Sequence, residues 1–306
     1  MSDAAISLRG LSRRFGPHEV LRDVTLEVPV GETYAFLGRN GAGKTTTIRI
    51  LMGLLSADGG QARVLGMDSA RDAMAIRRRV GYLAEDQKMF GWMRLEQLLD
   101  FLAPFYPTWD MPMARSLLKQ FSLPARAKVK QLSKGENVRL GLLLAMAHRP
   151  ELVILDDPTM GLDPIMRKDF LRDVVGSLQG EGITVFFSSH LLYELEPVAD
   201  GVAILEGGQI VLNSPTERLR ERVKRLIFPA SQHGAAASLP GLLDLQTRGG
   251  QVGAVVDDAE AAMAAAAARG VQPMVVDLNL DEIFEAYVIG RKDEQHNDEP
   301  VAEGVA

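Results

Sequence analysis

From Ile6 to about Phe228, short apolar runs of β type alternate with longer stretches of helical periodicity. That alternation predicts an α/β domain built on a largely parallel sheet. Thr33 to Leu37 reads as a strand that runs into a Gly-rich turn and then a helix through Leu55. Leu152 to Leu155 and Thr184 to Phe187 lack polar alternation, as expected of short strands covered on both faces. Gly201 to Leu205, Gly207-Gly208 and Gln209 to Leu212 spell a hairpin. From about Met89 to Lys128 the pattern turns helical and aromatic, with Trp92, Phe101, Phe105, Tyr106 and Trp109 broken by Pro104, Pro107 and Pro112. A helical insertion is predicted there, and with the helix after it the insertion covers about residues 88–148.

Beyond Arg225 the composition changes. Leu226 to Pro229, Gly253 to Val256 and Met274 to Val276 read as strands, and Ala259 to Ala268 and Leu280 to Ile289 as helices. The expected organisation is a main domain over residues 1–224, a small α+β domain over 225–290 and a disordered acidic tail over 291–306.

Composition narrows the function classes. With 46% apolar and 24% charged residues in 306, the chain is of ordinary globular character. Its balance of 34 basic against 40 acidic side chains, a formal −6, argues against binding nucleic acid through bulk charge. The absence of cysteine removes disulfides, thiolate metal sites and thiol nucleophiles. Residues 1–10 lack the pattern of a signal peptide. The longest apolar runs, such as Leu140 to Ala147, fall far short of the roughly 20 residues a membrane span needs. The expectation is a soluble intracellular protein.

Candidate chemistry begins at Gly38-Arg39-Asn40-Gly41-Ala42-Gly43-Lys44-Thr45, which fits G-x-x-x-x-G-K-[ST] between a strand and a helix. Glycines let backbone N–H groups curl around phosphate oxygens, and the helix start adds positive potential. Lys44 then brings a charge to the β- and γ-phosphates, and the Thr45 hydroxyl offers a ligand to Mg²⁺. A nucleotide and Mg²⁺ are the expected ligands.

Further segments follow in a fixed order: Leu132-Ser133-Lys134-Gly135-Glu136 before a helix at Val138 to His148, Leu152 to Asp156, Met160-Gly161-Leu162-Asp163, and Ser188-Ser189-His190 after a strand. Over about Ile6 to Leu219 this series resembles the ATP-binding subunit of ATP-binding-cassette (ABC) transporters, in its bacterial exporter-type subgroup. The resemblance implies a P-loop cassette with a helical subdomain, in which two subunits sandwich ATP head to tail. Residues 38–45 with Thr46 would bind nucleotide, and Thr45 and Asp156 would hold Mg²⁺. Ser133, Gly135 and Glu136 would cap the γ-phosphate held by the other subunit, although L-S-K-G-E departs from the family's L-S-G-G-Q at Lys134 and Glu136. Asp163 would couple the two sites, and His190 would sense the γ-phosphate.

Three positions keep two readings. Asp157 stands where the family has its glutamate base; being one methylene shorter, it either orients the attacking water or only stabilises the turn into Pro158. Glu85 takes the position of the family's glutamine beside Mg²⁺, but Gln87 lies two residues on. Phe15 either stacks on adenine or belongs to the core. The resemblance further implies an ATPase at the cytoplasmic face of a bacterial membrane. Its partners would be permease subunits on separate chains, and a second ATPase subunit in a homodimer or heterodimer. The alternative, favoured by Asp157, is a nucleotide-gated regulatory or catalytically weak subunit.

Overall fold

The computed structural model describes residues 4–160, 162, 167, 178, 180, 182–189 and 198–290. Two compact units divide after Asn213. In the first, the strands in chain order are β1 (Ala4–Phe15), β2 (His18–Pro29), β3 (Thr33–Leu37), β4 (Gly59–Val64) and β5 (Met67–Asp68). They continue as β6 (Val80–Leu83), β7 (Leu152–Asp156), β8 (Thr184–Ser189), β9 (Gly201–Glu206) and β10 (Gln209–Pro215). The described helices are α1 (Lys44–Leu51), α2 (Ala73–Arg79), α3 (Leu95–Leu102), α4 (Met111–Gln120) and α5 (Lys134–Met146).

Strands β2-β1-β4-β5 make an antiparallel sheet, and β10-β9-β3-β8-β7-β6 make the central one. Strands β9, β3, β8, β7 and β6 run parallel to one another. Every residue of β3, β7 and β8 is buried, which is why these segments read as continuous apolar runs. Ile6, Leu8 and Leu26 from the outer sheet share one core with Phe36, Ile154 and Phe186 from the central sheet and with Ile48 and Leu51 of α1. Phe36 and Phe186 stack with centroids 5.1 Å apart. Each such side chain fully buried contributes about 1.5–3 kcal/mol, so this core fixes where β3, β7 and β8 end. The three neighbours finish side by side at the carboxyl edge of a parallel sheet, where open α/β folds bind ligands.

Two element ends differ from the sequence expectation. Helix α1 stops at Leu51 rather than Leu55, because Gly53 adopts φ +61° and turns the chain, with the Leu54 N–H closing onto the Arg49 carbonyl. Helix α5 begins at Lys134, four residues before the expected Val138, because Ser133 and Glu136 form a capping box.

The second unit carries an antiparallel sheet of order β12-β13-β11-β14, from β11 (Lys224–Pro229), β12 (Leu242–Arg248), β13 (Gln251–Val256) and β14 (Met274–Asp277). Leu226, Phe228, Val252 and Ala254 pack there against Ala262 and Ala266 of the helix Ala259–Ala268. The unit starts before residue 225 because the helix Thr216–Arg222 is tied into it. Arg222 pairs with Asp257 at 2.7 Å and donates to the Tyr287 hydroxyl at 3.4 Å. The final helix holds α geometry only over Leu280–Glu285, then widens to a π-turn over Ala286–Gly290. Residues 291–306, expected as a tail, lie outside the described residues.

Candidate nucleotide site

Glycine is required at the start of the loop after β3. A Cβ on Gly38 would stand 2.5 Å from the Leu205 carbonyl oxygen of β9. At the end of the loop Gly43 has φ +112°, and a Cβ there would meet Leu21 Cδ2 at 2.6 Å. Gly43 is the N-cap of α1. No side chain caps that helix, and its first turn holds no acid. Among the described residues, its leading N–H groups and positive dipole end are therefore not taken up by a side-chain cap.

Lys44 opens α1 with only 7% of its surface exposed, and its Nζ donates to the carbonyls of Gly38 at 2.7 Å and Arg39 at 3.4 Å. Burial pushes its amine pKa down, while the charges of Asp157, Asp156 and Glu85 pull it back up. Thr45 Oγ1 donates to Asp156 Oδ1 at 3.3 Å, and Ser188 Oγ donates to the same oxygen at 2.7 Å. Burial raises the Asp156 pKa, against the two hydroxyl bonds that lower it. Asp156 Oδ2 is buried without a hydrogen-bond partner among the described residues. Asp157 sits next in a left-handed conformation, φ +45°, and its N–H donates to both the carbonyl (3.1 Å) and the hydroxyl (3.0 Å) of Ser188.

Asn40, Gly41, Gly43, Lys44, Thr45, Thr46, Glu85, Asp156 and Asp157 line one cavity of about 500 Å³ together with Val20. The structure thus brings most of the phosphate-loop candidates together with Asp156, Asp157 and Glu85. Gln87 goes elsewhere: its Oε1 lies over Gly141 of α5, 1.9 Å from where a Cβ would be. Glu85, not Gln87, is therefore the side chain at the phosphate cavity. Phe15 is 46% exposed under the Arg13 guanidinium and does not line the cavity, which removes its core reading.

The donors fit a hard divalent cation: one hydroxyl, one buried carboxylate with an open oxygen, and a second carboxylate beside it. Oxygen donors of this kind, few in number and completed by phosphate and water, suit Mg²⁺. Among the described residues no group of three or more His, Asp or Glu forms a site of its own.

The start of α5 lies apart from this cavity. Ser133 Oγ accepts from the Glu136 N–H at 3.3 Å, and Glu136 Oε2 accepts from the Ser133 N–H at 2.7 Å. Gly135 in the same turn is buried. Lys134 and Asn137 of this turn line a neighbouring opening of about 670 Å³ together with Glu85 and Asp157, so those two acids border both. Asp163 and His190 lie outside the described residues. Val20 and Ser188 were missed in the sequence. The paired serines that end an otherwise apolar strand were the signal for the latter.

A family profile described as ABC transporter matches residues 21–160. The daunorubicin resistance ATP-binding protein DrrA3 of Streptomyces coeruleorubidus is 35% identical over 250 residues, covering 78% of each chain. The bacitracin transport ATP-binding protein BcrA of Bacillus licheniformis is 33% identical over 237 residues, 76% of this chain and 78% of that one. Among solved structures, an ATP-binding subunit of an ABC transporter superposes with a TM-score of 0.64 at 28% identity, over 71% of this chain and 92% of that one. Similarity at this level and coverage, over the segment that builds the cavity, carries the assignment: the chain belongs to the ATP-binding subunits of ABC transporters.

Proposed function

We propose that this chain drives export, with each ATP held between the phosphate-loop cavity of one copy and the α5 start of a second. Members of this family are ATPases that work in pairs with permease subunits on other chains. No helix among the described residues is long and apolar enough to cross a membrane, in keeping with that division of labour. The export direction draws its support from relatives named for daunorubicin resistance and bacitracin transport. We place the complex at the cytoplasmic face of a bacterial membrane.

The observation that carries this reading is the separation of two complementary halves. Lys44, Thr45, Asp156 and Asp157 share one cavity, while Ser133 belongs to a different helix start in the same chain. Two copies placed head to tail would complete two sites without any further subunit supplying nucleotide contacts.

In the proposed mechanism the loop N–H groups and Lys44 hold the β- and γ-phosphates. Lys44 exchanges its bonds to the Gly38 and Arg39 carbonyls for phosphate oxygens, a stronger charge-assisted pairing. Thr45 and Asp156 would hold Mg²⁺, which neutralises charge on the β- and γ-oxygens when bound. Asp157, fixed by its N–H to Ser188, orients the water that attacks the γ-phosphate, and Glu85 ties the cavity to the helical insertion. His190 would sense the γ-phosphate, Asp163 would join the two sites, and Phe15 would flank the adenine. Closing and reopening the pair moves the insertion, whose exposed Phe90, Trp92, Phe101 and Phe105 form an edge-to-face chain at 5.4–6.3 Å. Such an apolar patch suits the permease contact.

Asp157→Glu restores the longer reach and is expected to leave turnover unchanged or raise it, as read by steady-state ATPase of the chain with its membrane partner. High native activity that collapses in Asp157→Glu would overturn the reading of Asp157 as a short-reach water-orienting group. Native-membrane affinity purification in mild detergent is expected to bring down a permease; recovery with ribosomes instead would reject the transport reading.

A further inference from the structure

The phosphate loop and Asp156 do not meet directly on the sheet: β8 lies between β3 and β7. Ser188 is the β8 residue in register with Asp156, and it is fully buried. Its hydroxyl donates to Asp156 Oδ1 at 2.7 Å and accepts from the Asp157 N–H at 3.0 Å, while its carbonyl accepts from that same N–H at 3.1 Å.

We propose that Ser188 is a positioning residue for the metal side of the nucleotide site, orienting the Asp156 carboxylate and anchoring the Asp157 backbone from the strand that leads to His190. The inference rests on the reading that Asp156 and Thr45 hold Mg²⁺. An aspartate χ2 torsion is broad and two-fold, so a carboxylate at a strand end does not choose its own orientation. A serine hydroxyl has one proton to give, and here it goes to Oδ1. With Thr45 on that same oxygen, Oδ2 is the atom left without a partner among the described residues. The Asp157 N–H, shared by the two Ser188 acceptors, keeps the left-handed turn in place after the strand. One side chain therefore sets both acids, two residues before His190 in the sequence. Hydrogen-bonded support of a ligating carboxylate typically carries 10- to 100-fold in metal affinity.

The test is calorimetric ATP binding to the full chain, in EDTA and across a Mg²⁺ titration, for native protein, Ser188→Ala, Ser188→Cys and Asp156→Asn. Ser188→Ala is expected to bind ATP in EDTA as the native chain does, yet to need about 10- to 100-fold more Mg²⁺ for the metal-dependent gain. Ser188→Cys, similar in size but a weaker donor, is expected to fall between the two. Asp156→Asn is expected to shift at least as far as Ser188→Ala. A native-like Mg²⁺ requirement in Ser188→Ala beside a shifted Asp156→Asn would overturn the proposal and leave the metal reading standing. An unshifted Asp156→Asn would reject the metal reading and the proposal with it. Equal loss of ATP affinity with and without Mg²⁺ in both Ser188 variants would mark Ser188 as a structural strut and also overturn the proposal.

Discussion

Helices α1 and α5 both start at glycine-bearing segments of one chain, yet their first turns are built in opposite ways. At α1 the N-cap is a left-handed glycine, no side chain among the described residues caps the leading N–H groups, and the helix opens with a buried lysine. At α5 a serine and a glutamate satisfy each other's backbone in a reciprocal box, and the exposed helix start has a carboxylate locked in place. In the proposed function the first is the anion site that would hold phosphate by itself. The second has its capping bonds closed within its own turn, so on that proposal it would act only once another molecule displaces or adds to them. Difference in capping would thus separate the proposed half-site that binds from the proposed half-site that responds.

The largest effect should come from the open start. Lys44→Ala is expected to lower ATPase turnover by about 100-fold or more, because a buried charge aimed at the phosphates is removed. A drop below about tenfold in steady-state assays would mean that the loop N–H groups suffice. Next comes the closed start. Ser133→Ala is expected to leave ATP binding to a single chain unchanged while cutting paired turnover by about tenfold, and to cost about 1 kcal/mol in unfolding from the lost cap. Weaker ATP binding by the isolated chain would erase the distinction between the two starts.

The smallest effect is a pH dependence. The Ser133 backbone and side chain hold the Glu136 carboxyl below the usual glutamate range. Its folded value is depressed, so the box stabilises the fold above the ordinary glutamate pKa and loses that contribution as pH falls through the lowered value. The gap in melting temperature between native protein and Glu136→Gln should therefore shrink as pH drops from about 6 to below about 4. A gap that does not change with pH would show that the charge takes no part in the cap.

Much of this was legible beforehand, and the reasons are local. Strands β3, β7 and β8 announced themselves because both of their faces are buried. The phosphate loop was readable because two of its glycines answer to steric limits that any side chain would break. Strand β12 was missed since its outward positions carry Asp244, Gln246 and Arg248, leaving too short an apolar signal. Ser188 was passed over for a topological reason. Nothing in the order of residues says that β8 inserts between β3 and β7, and only that insertion brings a serine from the third strand onto Asp156. Glu85 and Gln87 likewise differ only in the folded chain, where Gln87 lies over Gly141 and Glu85 lines the cavity beside Lys44.

The central claim, that an open start and a closed start from two copies make one site, is tested most directly by mixing two inactive variants. Lys44→Ala disables the first half. Ser133→Arg, at an exposed position where the bulk is tolerated by the chain itself, blocks the second. Each variant alone should be inactive in steady-state ATPase assays. An equimolar mixture should recover about a quarter of native activity, since half the pairs are mixed and each mixed pair keeps one intact site. No recovery from two folded, ATP-binding or pair-forming variants, or full activity of Ser133→Arg alone, would contradict the composite site.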